Sequence, residues 1–88
     1  MPESQLEAIG RVRMFFAHVS AAVVELTAPL RLGERIYVKG RTSDFQQVVE
    51  SLQIDHQSIQ EAAAGQTVGL KVRERCRKHD VVYKLVGV

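Results

Sequence analysis

At 88 residues the chain has room for one hydrophobic core and not two, and a domain of this size withdraws only about 60–65% of its unfolded surface from water. With 45% hydrophobic and 25% charged residues it is not a disordered segment, and no apolar run approaches the roughly 18 residues that a membrane span needs. A net charge of +2 is too small to demand an anionic partner, and the single cysteine, Cys76, excludes an intrachain disulfide and suits a reducing compartment.

The opening Met1-Pro2-Glu3-Ser4-Gln5 has neither the basic nor the apolar region of a secretory signal, which points to the cytoplasm. Gly10, Val12 and Met14 then alternate with Arg11 and Arg13, so a first strand running to about Phe16 carries a cationic outer face. A turn at His18 to Ser20 leads into a second strand, Ala21 to Leu26, with Ala22, Val24 and Leu26 on one side. Pro29 stops it and Gly33 turns the chain back. A third strand spans Arg35 to Arg41, with Ile36 and Val38 inward and Arg35, Tyr37, Lys39 and Arg41 outward.

The turn-rich Gly40 to Asp44 leads into a fourth strand ending near Ile54. Val48, Leu52 and Ile54 share one alternation face while Phe45 and Val49 fall on the other, so this strand needs a bulge or cover on both sides. A helix competes for Gln46 to Ala64, where Val48, Leu52, Ile59 and Ala63 have near-helical spacing. The preferred reading ends the strand at Ile54 and places a short helical turn in the following loop, because Ser58-Ile59-Gln60-Glu61 has capping-box spacing and Gly65 suits a helix end.

The fifth strand occupies Gly65 to Arg77. Val68, Leu70 and Val72 alternate with Gly69, Lys71 and Arg73, and Arg75 and Arg77 continue the charged series. A turn near Lys78-His79-Asp80 precedes a sixth strand, Val81 to Val86. Six short strands with little helix predict an all-β fold, a small barrel formed by one domain over residues 1–88 with its core at about 9–86.

Charge is unevenly placed. Thr42 to Leu70 holds four acids and no lysine or arginine, whereas Lys71 to Lys84 holds six bases against two acids. The outward series Arg11, Arg13, Arg35, Tyr37, Lys39, Arg41, Lys71, Arg73, Arg75 and Arg77 forms a candidate nucleic-acid surface in which Tyr37 stacks a base or a guanidinium. A solvated exterior, which any barrel must present, is the competing explanation.

Catalytic and metal patterns are thin. Cys76 and His79 have ligand-like spacing, but a structural zinc site needs four ligands and His18 and His56 belong to unrelated turns. Cys76 with His79 and Asp80, or Asp55-His56 with Ser58, would have to converge from sequence neighbours to make a nucleophile or a triad. No cofactor is implied. Phe15, Phe16 and Phe45 read as core or plug aromatics, a reading that fails if one of them is exposed.

The order of Gly10-Arg11-Val12, of Leu30-Arg31-Leu32-Gly33-Glu34-Arg35-Ile36, and of Ala64-Gly65-Gln66-Thr67-Val68-Gly69-Leu70 resembles domain two of the translation factors of elongation factor Tu type. It resembles still more the small stand-alone translation-factor-like proteins and the C-terminal barrel of collagenase-like peptidases, through Thr42-Ser43-Asp44-Phe45 and Val49 to Ile54. The resemblance implies a closed six-stranded barrel that binds or docks without catalysis. It departs from the family pattern at His79, where a glycine is expected before Asp80-Val81-Val82. No Gly-x-x-x-x-Gly-Lys-Ser/Thr loop is present to hold nucleotide phosphates. The resemblance implies a module that contacts RNA or a ribonucleoprotein through the basic face. The alternative is a protein-docking accessory domain for a separate enzyme such as a collagenase-like peptidase.

Overall fold

The computed structural model describes residues 6–85 and is built of strands, with no helix among the described residues. In chain order these are β1 (Leu6–Phe16), β2 (Ala21–Leu26), β3 (Leu30–Arg31), β4 (Arg35–Lys39), β5 (Asp44–Val48), β6 (Leu52–Ile54), β7 (Gln57–Ser58), β8 (Glu61–Ala62), β9 (Thr67–Lys71) and β10 (Val81–Leu85). Eight form one antiparallel sheet ordered β5-β4-β10-β1-β2-β9-β6-β7, while β3 and β8 pair separately. The leader at residues 1–5 and the end of the expected sixth strand at Val86 lie outside the described residues.

Alternation places side chains as the period of two requires in β2, β4 and β9. Ala22, Val24 and Leu26, then Ile36 and Val38, then Val68 and Leu70 are buried in one core with Ile9, Val12, Leu30, Leu52 and Val82. Each fully buried Val, Leu or Ile stabilises the fold by about 1.5–3 kcal/mol relative to exposure.

β1 departs from simple alternation. Its pairing register shifts between Ala8 and Gly10 against β10, and between Val12 and Met14 against β2. The second bulge sends Arg13 and Met14 outward in succession, so Met14, expected inside, is 51% exposed. Phe16 follows it outward at 39%, whereas Phe45 is buried and Phe15 is half-buried. The core reading of the three phenylalanines therefore holds for Phe45 and fails for Phe16.

The expected fourth strand is two strands. Phe45 and Gln47 of β5 face the core with Val49, the chain breaks over residues 49–51, and β6 restarts with Leu52 buried. The break resolves the conflict between alternation faces. The predicted helical turn is absent: Ser58 closes β7 and Glu61 opens β8. Asp55 and His56, both at positive φ (50° and 65°), form a two-residue hairpin loop between Ile54 and its partner Gln57.

No closed barrel forms among the described residues. β9 ends at Lys71 and does not run on to Arg77, so no strand continues far enough to pair with the free edge of β5. A side chain spans that seam. Gln47, 4% exposed, donates from Nε2 to the Lys71 carbonyl at 2.8 Å and accepts from the Arg73 N–H at 2.7 Å.

The loop over residues 72–80 docks on β1. The Val12 N–H donates to the Asp80 carbonyl and the His79 N–H to the Val12 carbonyl, both at 2.8 Å. The buried Asp80 carboxylate accepts from the Arg77 N–H at 2.9 Å and packs against Gly40. His79, in the place of the expected glycine, has φ of +81°. The turn keeps a backbone that glycine would adopt freely, and it does so with an imidazole.

Candidate functional site: a groove on the outer sheet face

The fold spreads the ten outward residues over three strands, a turn and a loop, and brings Arg11 and Lys39 into one cross-strand row on either side of Val81. Arg11 and Arg13 lie on β1, Arg35, Tyr37 and Lys39 on β4 with β10 between, Arg41 in the turn after β4, and Lys71 at the end of β9. Arg73, Arg75 and Arg77 belong to the 72–80 loop, contrary to the expectation of a continuing strand. Arg13 pairs with Glu25 at 3.4 Å and Arg73 with Glu50 at 3.1 Å, exposed pairs that contribute little stability. The Tyr37 hydroxyl donates to Asp44, a hydrogen bond that raises the phenol above its ordinary pKa. The ring also tilts against Tyr83 at 6.4 Å, so Tyr37 is not a free stacking platform.

The sheet instead builds a groove of about 700 Å³ across the outer faces of β2, β9 and β6. Cross-strand register explains its floor. One row runs Val23, Gly69 and Gln53, continuing past the groove to Met14, and the next runs Phe16, Ala21 and Lys71. Phe16 and the 49% exposed Val19 form an apolar wall, and His56 and Lys71 add a polar rim. His18 meets Phe16 edge-on, with ring centroids 6.3 Å apart.

Gly69 makes the groove deep. It sits in mid-strand, where glycine costs about 0.5–1 kcal/mol relative to alanine, and its φ is not in the left-handed region. The backbone does not need it: a Cβ would come no nearer than 3.8 Å to the Gln53 carbonyl oxygen, an ordinary contact. A mid-strand glycine often marks a bulge, a tight bend or a place where a ligand or another backbone approaches closely, and the pairing of β9 with β2 and β6 shows no register shift at Gly69.

The sequence-suggested chemical groups do not converge. Cys76 is buried while His79 is exposed, and no group of three or more His, Cys, Asp or Glu side chains is placed to hold a metal among the described residues. Asp55, His56 and Ser58 are all exposed around the β6–β7 turn, and no side-chain hydrogen bond joins them among the described residues.

Burial, with Asp80 nearby, pushes the Cys76 thiol up from 9.0 to about 11. In the folded state the neutral thiol is favoured, so the stability tied to it is complete below about pH 9 and is lost as pH rises toward 11. Cys76 is accordingly expected to resist a disulfide reagent at pH 8 until the protein is unfolded in denaturant. Rapid labelling of the native chain would contradict that environment.

The comparisons with known proteins bear on this surface. No protein-family model matches the sequence. Over 78 residues, 88% of this chain, it is 40% identical to an uncharacterized protease of Methanocaldococcus jannaschii. Over 86% of the chain it is 27% identical to a collagenase of Porphyromonas gingivalis. The chain spans about a fifth of these curated relatives, 19% and 22% of their lengths.

Among solved structures, the C-terminal domain of a Geobacillus thermoleovorans protein assigned as a U32 peptidase superposes with a TM-score of 0.83 at 22% identity. That match covers 89% of this chain and 91% of the other. Its selenomethionine variant superposes with a TM-score of 0.82 at 23% identity, covering 86% and 96%.

The relatives overturn the translation-factor reading, and with it the elongation-factor, protein-synthesis and RNA-binding roles expected for the basic strands. The chain has the fold of a peptidase C-terminal domain and is similar over most of its length to a segment of proteases and collagenases.

Proposed function

We propose that this chain is a non-catalytic accessory domain that docks on the body of a protease through the groove between Phe16 and Gln53. The observation that carries this reading is Gly69, a destabilising mid-strand residue whose missing side chain leaves open the centre of an apolar outer face. Monomeric sheet exteriors seldom keep Met14, Phe16 and Val19 exposed together unless something covers them. Similarity to a fifth of several proteases supplies the class of partner.

Gly69→Val tests the reading with little risk to the fold. A β-branched side chain there is expected to raise stability by about 0.5–1 kcal/mol while filling the groove. Binding to the purified body of a protease of this type, prepared without its matching segment, should then fall by about 30-fold or more, as should binding of Phe16→Asp. Calorimetry showing that both variants bind as tightly as the parent would refute groove docking.

A further inference from the structure

The outer face of the β1–β2 hairpin does not end at the groove. Beyond the Met14–Val23 row, the same face carries Arg11 paired across to Glu25, with Arg13 in the bulge and Thr27 just past the end of β2. These residues, with Lys78 and His79 from the docked loop, line a second concavity of about 530 Å³. Three formal cations and an imidazole face it, against the single carboxylate of Glu25.

The concavity is built by fixed backbone. Paired hydrogen bonds at 2.8 Å hold the His79 turn to Val12, and Asp80 is buried beneath it. His79 keeps a φ of +81° where glycine would be free, which places an imidazole on the lining at the cost of backbone strain.

We infer that this concavity receives acidic side chains of a polypeptide whose neighbouring apolar residues occupy the groove. The inference rests on the docking reading in taking the partner to be a protein and in seating its apolar residues in the groove. Charge complementarity selects carboxylates. Glu25, ion-paired to Arg13 and opposite Arg11, would repel a uniformly anionic phosphodiester chain, whereas separate carboxylates can sit over the cations on either side of it. No phenylalanine, tyrosine or tryptophan lines this concavity among the described residues, so His79 is its one ring, too little to stack successive bases of a single strand.

Distance fits as well. Ala21 at the start of β2 and Thr27 just past its end stand six residues apart, and at about 3.4 Å per residue an extended segment covers both sites within about 20 Å.

The test uses the intact chain and a fluorescently labelled peptide with a leucine-rich half followed by an aspartate- and glutamate-rich half. Its asparagine/glutamine counterpart and a polyuridine RNA serve as competitors. The acidic peptide is expected to bind about tenfold more tightly than its amide counterpart, and the advantage should shrink as salt rises from about 50 to about 300 mM. The doubly substituted Arg11→Glu, Lys78→Glu chain should lose that advantage while retaining the amide peptide. Arg11→Gln, which adds no repulsion, should lose part of it.

Equal affinity for the two peptides, or preference for the RNA, overturns the inference. The protease body is titrated separately. If it binds the doubly substituted chain and the parent alike, groove docking stands and the acidic site falls. If the acidic peptide binds and the body does not, the converse holds.

Discussion

Gly40→Ala is expected to destabilise the protein by about 3 kcal/mol and to lower its Tm by about 15 °C. The added Cβ would lie 3.0 Å from the Asp80 Oδ2 and far inside contact distance of Oδ1 and Cγ. Neither partner can give way cheaply. The Gly40 N–H is held by the Ser43 carbonyl at 2.8 Å, and the Asp80 carboxylate is buried and tied to the Arg77 N–H.

For a domain of this size, with about 4–13 kcal/mol of total stability, a loss of that order is a large fraction. Asp80→Ala relieves the crowding but gives up the acceptor for Arg77, costing about 1–2 kcal/mol alone. The double variant should therefore be more stable than the sum of the singles predicts, by about 1–2 kcal/mol. Additive thermal melts would show that the two residues do not crowd each other.

Gln47→Leu is expected to cost about 3 kcal/mol, although leucine has nearly the same size and suits a buried site. The loss comes from the Lys71 carbonyl and the Arg73 N–H, each left without its partner where Gln47 now bridges β5 and the end of β9. Because this side chain spans the seam left open by the backbone ladder, the damage should be local as well as global. Amide exchange at Arg73 should accelerate by more than the drop in global stability accounts for, while exchange in β1 and β2 tracks the global change. If Arg73 exchanges no faster than the global change predicts, Gln47 is a packing residue and not a seam.

Both positions show where reading the chain in order meets its limit. Gly40 lies in a turn-rich stretch, but nothing local indicates that Asp80 will be packed against it. Gln47 looks like a polar outward residue, since its neighbours Gln46 and Val48 give no sign of which face is inside. Burying its amide becomes favourable only when the backbone of residues 71–73 arrives to satisfy it.

The candidate site divides in the same way. The cations on β1, β4 and β9 were legible one by one, yet a shared surface depends on strand order, which puts β10 between β4 and β1 and releases Arg73, Arg75 and Arg77 into a loop. The groove was not legible. Its floor joins Val23, Gly69 and Gln53 from three strands, and its wall depends on a bulge that turns Met14 and Phe16 outward. A glycine amid the alternating aliphatics of β9 was the one local signal, and it was read as a place on the charged face.

What the sequence by itself determined is the all-β class, the identity of the strands β2, β4, β9 and β10, and the inner faces of β2, β4 and β9. A period of two in side-chain direction is a property of a few consecutive residues, and burial rewards it wherever the strand pairs. The tertiary structure alone decided the two bulges of β1, the Asp55–His56 hairpin, the end of β9 at Lys71 and the side-chain seam in place of a closed barrel. The bulges follow from how β1 pairs with β2 and β10, the hairpin from positive φ at Asp55 and His56, and the seam from the Gln47 side chain meeting the Lys71 carbonyl and the Arg73 N–H. Gly65 to Arg77, read as one strand with a charged back, is a short strand that deepens a groove, followed by a loop whose continuation at Lys78 and His79 lines the basic concavity beside it.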